Sequence, residues 1–131
     1  MAHQFVNPAR VHPPVGAYSH CVKVPANAEW LVIAGQVGVS PAGKVANGIE
    51  KQAEQTFRNI LACLKANGMG KQDLVKFTVF LTDARHVGAY RAAREKVIGN
   101  DTVPASTLLI VDALAMPELF IEVEATAAKA P

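Results

Sequence analysis

The stretch Val103–Ala127, VPASTLLIVDALAMPELFIEVEATA, decides the fold. Thr107–Val111 is a short run rich in Leu, Ile and Val that stops at Asp112, and it reads as a buried strand. Leu119–Ala125 alternates Leu119, Ile121, Val123 and Ala125 with Phe120, Glu122 and Glu124, the pattern of a strand with one face in a core. Because strand side chains alternate with period two, Glu122 and Glu124 project from the same face about 6.5–7 Å apart, beside Phe120. Spacing leaves two readings open. The acids belong to a solvated strand face, or one of them is a carboxylate at a pocket edge that orients water and passes protons.

Two helical patterns precede this strand pair. Asn47 followed three residues later by Glu50 resembles a capping box and predicts a helix whose packed face carries Ile49, Ala53, Phe57, Ile60 and Leu64. Glu50, Lys51, Glu54, Arg58 and Lys65 take its wet face, and Gly68 is a natural stop. Asp83 predicts the cap of a second helix running to about Ile98, with Val87, Tyr90, Arg94 and Val97 along one stripe and Arg91 flanking it. Arg94 is expected to snorkel its head to solvent or to a nearby acid. The sharper reading aims a guanidinium at an anionic ligand. Between the helices, Leu74–Leu81 sets Val75, Phe77, Val79 and Leu81 against Lys76, Thr78 and Phe80, which predicts another strand.

At the other end, residues 1–16 hold Pro8, Pro13 and Pro14 without periodicity and read as an irregular arm. Tyr18–Val24 fits a first strand, and Trp30–Ala34, WLVIA, a buried one ending at Gly35. The order is β-β-α-β-α-β-β, an α+β two-layer fold in which two helices cover one face of a mixed sheet. Residues 1–131 are expected to form a single domain. The uncovered sheet face, with Phe80, Phe120 and Trp30, calls for self-association.

Composition narrows the function classes. Half of the 131 residues are hydrophobic, enough for a real core, and the net charge is only +2 with scattered basic residues. That leaves no electrostatic footprint for nucleic acid. No apolar run reaches membrane-spanning length and no signal-peptide layout opens the chain, so a cytosolic protein is expected. Cys21 and Cys63 lie in no CxxC pair and read as buried or half-buried free thiols. His3, His12, His20 and His86 show no ligand spacing, so no metal is expected. No GxGxxG or GxxxxGK[ST] occurs, and Gly68 and Gly70 in NGMGK read as a helix end.

Five segments, in order and spacing across Gly16–Ala127, resemble the Rid/YjgF family, the RidA group also labelled endoribonuclease L-PSP. They are GAYSH at Gly16–His20, AGQVGV at Ala34–Val39, KFTVFLTD at Lys76–Asp83, PAST at Pro104–Thr107 and IEVEA at Ile121–Ala125. The resemblance implies a chorismate-mutase-like fold and a homotrimer with ligand clefts between subunits. It also implies hydrolysis of amino-acid-derived enamines and imines to a 2-oxo acid and ammonia, with no metal or organic cofactor. In the family an arginine after Pro-Ala grips the substrate carboxylate, a bidentate match; here Ser106 stands in its place, next to Thr107. Glu122 matches the family's water-orienting glutamate and Tyr18 its cleft tyrosine. Ala34 replaces a family serine beside Gly35, and Arg91 falls near a cleft-lining asparagine, where its charge can act on a ligand carboxylate from another angle. Two functions follow: an enamine/imine deaminase of altered substrate preference, or a trimeric small-molecule-binding or regulatory protein that kept the cleft without the chemistry. A ribonuclease reading finds no basic stripe with interleaved aromatics.

Overall fold

The computed structural model describes residues 2–131; Met1, the first residue of the expected arm, lies outside them. In chain order the elements are β1 (Gln4–Val6), β2 (Cys21–Lys23), β3 (Glu29–Val37), α1 (Ile49–Ala66), β4 (Leu74–Leu81), α2 (Val87–Val97), β5 (Ala105–Ile110) and β6 (Ile121–Lys129). The main sheet runs β3-β6-β4-β5, with β6 antiparallel to both neighbours and β4 parallel to β5. A parallel pair needs a crossover, and α2 supplies it. The result is the α+β layer arrangement expected, two helices on one face of a mixed sheet.

One face of β6 is dry. Ile121, Val123, Ala125 and Ala127 lie buried against the helices, with Phe77, Val79 and Leu81 of β4 and Ala53, Phe57, Ile60 and Leu64 of α1 in the same core. Val75, expected on the buried face of β4, is only half-buried because a register shift between Leu74 and Lys76 disturbs the alternation there. A buried amide ties α1 to the entrance of β6. Gln52 Nε2 donates to the carbonyls of Ala46 and Glu118, and its Oε1 accepts from Phe120 N–H at 2.9 Å. Those bonds satisfy the amide almost completely and hold the residues just before Glu122 in place.

Several expectations change. The arm is not wholly irregular, since Gln4–Val6 pairs antiparallel with Cys21–Lys23, and the strand expected over Tyr18–Val24 shrinks to those three residues outside the main sheet. Ser19 instead makes a single parallel bridge to Ala105, its N–H donating to Pro104 O at 3.3 Å. The two runs read as buried strands are open on one side. In β3 only Ile33 is buried while Trp30 and Val32 are exposed, and in β5 Leu109 and Ile110 are exposed. Both are edge strands, and the sheet face away from the helices has no cover within one chain. Cys21 is exposed on β2; Cys63 is half-buried.

At the start of α1 the cap is Gly48, at φ 86°, with no side-chain bond, so the Asn47 capping box does not form. That left-handed geometry favours glycine. Gly68, at φ 68°, ends α1, with Met69 N–H reaching back to Leu64 O. Asp83 accepts from Arg85 N–H and opens a short 3-10 turn, Ala84–His86, from which α2 continues. Arg94 neither reaches solvent nor meets an acid. It is buried, and its guanidinium donates to Gly99 O at 2.9 Å, Thr102 O at 2.8 Å and Asn100 Oδ1 at 3.4 Å. It pins the loop that leads from α2 into β5.

The buried face of β4 gives a direct check. Val79 is fully buried, so Val79→Asp should remove cooperative thermal unfolding, an unpaired buried carboxylate costing several kcal/mol. A sharp melt near the parent temperature would mean that this strand's faces are assigned wrongly.

Candidate functional site

Parallel pairing sets adjacent residues of β5 on opposite faces. Ser106 sits opposite Phe77 and turns toward the helices, whereas Thr107 sits opposite Thr78 and turns away, where its hydroxyl receives Lys76 Nζ at 2.6 Å. On the helix side a cavity of about 570 Å³ opens between α2, the start of β5 and the Gly16–Tyr18 segment. The Ser19–Ala105 bridge holds that segment against β5. Tyr18, Arg91 and Ser106, three residues picked from the sequence, line this cavity together.

Tyr90 and Arg94 of α2 and Asn100 also line it. The sequence signal of Tyr90 and Arg94 was the stripe Val87, Tyr90, Arg94, Val97, which periodicity alone assigns to packing. Tyr90 is only 6% exposed. Burial raises its phenol above the ordinary tyrosine pKa, while the nearby Ser106 hydroxyl and the charges of Arg94 and Arg91 pull the other way. Arg94 has its own pKa lowered by burial, yet a guanidinium keeps its charge in proteins. Arg91 is exposed at the rim, and among the described residues it has no salt-bridge partner. A guanidinium in this state is available to a carboxylate.

Glu122, Gly35, Ala34 and Thr107 lie elsewhere. Glu122 pairs with Phe80 of β4 and Val37 of β3 and is half-buried on the sheet face away from the helices, outside the cavity of its own chain. Ala34 is exposed, and the β3 register slips between Ile33 and Gln36, so Ala34 and Gly35 form an irregularity opposite β6. The Glu122 side chain lies directly over Gly35. A Cβ built there would lie 2.7 Å from Glu122 Cδ and 2.9 Å from its Cγ. The absent side chain of Gly35 is what lets the carboxylate occupy that place. One chain therefore presents two separate features, a cation-bearing cavity and a carboxylate over a glycine.

Among the described residues no three His, Cys, Asp or Glu side chains gather to hold a metal, and no helix is long and apolar enough to cross a membrane.

The fold is that of the Rid proteins. The structure aligns with that of YyfB, a Rid family protein of Yersinia pestis, at a TM-score of 0.83 and 30% identity, over 97% of this chain and 98% of that one. The pattern of the family described as endoribonuclease L-PSP matches residues 9–129, so the chain belongs to that family, the Rid/YjgF group. A RutC family protein of Pyrococcus horikoshii is 33% identical over 88% of this chain and 90% of its own length. The 2-iminobutanoate/2-iminopropanoate deaminase of Rattus norvegicus is 30% identical over 98% and 91%.

The packing of Glu122 on Gly35 predicts a non-additive double substitution. Gly35→Ala forces the carboxylate aside and should lower the melting temperature; adding Glu122→Ala removes the obstacle and should recover most of the loss. Simple additivity of the two melting shifts would show that the side chain does not rest on Gly35.

Proposed function

We propose that this protein hydrolyses amino-acid-derived imines and enamines, with the Tyr18–Arg91–Ser106 cavity as the ligand site and Glu122 as the acid-base group. The observation that carries the reading is the unpaired Arg91 guanidinium at the rim of a cavity that also contains Ser106 and Tyr18. Where the family grips the substrate carboxylate from β5, this chain offers a cation from α2. Relatives named 2-iminobutanoate/2-iminopropanoate deaminase support the reaction class.

The chemistry needs little equipment. A water oxygen bonds to the electrophilic imine carbon, its two protons pass in turn through a carboxylate to the nitrogen, and the carbon–nitrogen bond breaks as the carbonyl forms, to give a 2-oxo acid and ammonia. Glu122 is that carboxylate, brought to the cavity by a neighbouring copy of the chain, because within one chain it faces the other way. The exposed apolar side chains Trp30, Val32, Leu109 and Ile110 on the two edge strands give copies a surface to share. A closed trimer is the assembly that the family resemblance implies, and light scattering should give about three times the chain mass. A monomer at micromolar concentration would leave Glu122 without a role.

The deciding experiment is release of 2-oxo acid from 2-aminoacrylate generated in situ. A rate above the spontaneous background is expected, and Glu122→Gln, of nearly the same shape, should lower it by about 10²-fold while binding changes less. A parent rate equal to background would make this a ligand-binding trimer without catalysis.

A further inference from the structure

Tyr90 belongs to no part of the site assigned so far, and its surroundings give it a defined task. Its ring is packed in the core 6.0 Å from that of Phe57, so the phenol end is fixed rather than free to swing. Tyr90 and Ser106 line the same cavity, and the phenol end lies near the Ser106 hydroxyl. A phenol carries one O–H, which an acceptor in the cavity can take. Arg94, the other polar side chain at this level, spends its N–H groups on Gly99 O, Thr102 O and Asn100 Oδ1 and shapes the floor instead. Arg91, one residue along the same helix, is exposed at the rim and has no salt-bridge partner among the described residues. An anionic group that docks beside Arg91 and Tyr90 thus meets a cation and a phenol O–H. The remaining lining is Gly16 and the apolar Val15, Ala17, Val87 and Leu108, together with Tyr18, Asn100 and the acidic Glu95.

We propose that Tyr90 is a specificity-determining binding residue, whose phenol O–H joins Arg91, its neighbour on α2 and in the cavity lining, in gripping the carboxylate of a 2-imino or 2-oxo acid with an apolar side chain. The inference rests on the reading of this cavity as the ligand site. Burial keeps the phenol protonated through the neutral pH range, so it remains a donor there.

The test uses the full chain and three probes: the 2-oxo acid of leucine, its neutral methyl ester, and pyruvate, titrated calorimetrically. The parent protein should bind the leucine-derived acid more tightly than pyruvate, because the apolar wall takes the side chain. Tyr90→Phe keeps the ring in its packing and should weaken the acid about tenfold, the size of one charge-assisted hydrogen bond, with the ester within about twofold. Ser106→Ala, which removes the hydroxyl near the phenol without touching the core, should weaken the acid about threefold. It repeats the comparison if Tyr90→Phe fails to fold. In turnover, Tyr90→Phe should raise KM and leave kcat within about twofold. Equal losses for acid and ester would reduce Tyr90 to a structural role, and unchanged acid affinity or a fall in kcat alone would overturn the proposal. Pyruvate binding as tightly as the leucine-derived acid would overturn the apolar preference. Charge-selective binding without imine hydrolysis would keep Tyr90 and end the catalytic reading. Hydrolysis with Tyr90→Phe kinetically unchanged would do the reverse. A parent protein that neither binds nor hydrolyses ends both.

Discussion

The three rings of Phe57, Phe77 and Tyr90 meet in the middle of the molecule, 5.8 Å apart between Phe57 and Phe77 and 6.0 Å between Phe57 and Tyr90. They come from α1, β4 and α2, so this one contact sets both helices against the sheet and against each other. Aromatic rings bury large areas in fixed edge or tilted geometries, which makes such a cluster stiff. The cavity inherits that stiffness because α2 forms one of its walls. Tyr90 belongs to both regions, its ring to the core and its hydroxyl to the cavity.

The local elements were legible in the sequence wherever periodicity was strong. Leu74–Leu81 has the bounds that its alternation predicts, and Ala53, Phe57, Ile60 and Leu64 are the buried face of α1. What periodicity cannot show is which strands become neighbours. The last strand enters the centre of the sheet, and β3 and β5 become edges, so continuous apolar runs such as WLVIA and TLLIV end with exposed side chains in the single chain. The start of α1 was misjudged for a local reason. Asn47 has the chemistry of a cap, but Gly48 can adopt a positive φ and takes the position. Arg94 was misjudged because carbonyls at a helix end, invisible to residue-type patterns, can satisfy a guanidinium as well as an acid.

The candidate site was legible mainly through the family resemblance. Tyr18, Arg91 and Ser106 come from segments far apart in the chain, and only the Ser19–Ala105 bridge and the α2 crossover bring them to one cavity. Ser106 and Thr107 looked equivalent as neighbours, yet the pleat sends them to opposite faces. Gln52 and Tyr90 escaped notice because each sits in a helical pattern that reads as ordinary packing. In Gln52 the polar end ties down the chain before Glu122; in Tyr90 it reaches the cavity.

The central place of β6 has a consequence for biosynthesis. On a translating ribosome β3, β4 and β5 all leave the exit tunnel before β6, yet β3 and β4 touch each other only through it. Until that strand is made, β3 has no partner in the main sheet and both edges facing the gap expose unpaired backbone groups. Folding must therefore wait for the segment after Leu119, and the long sequence separation between β3 and β6 slows closure further. A nascent chain stalled before Ile121 presents an open, adhesive template, and chaperones that shield strand edges would have their longest engagement with this protein at that moment.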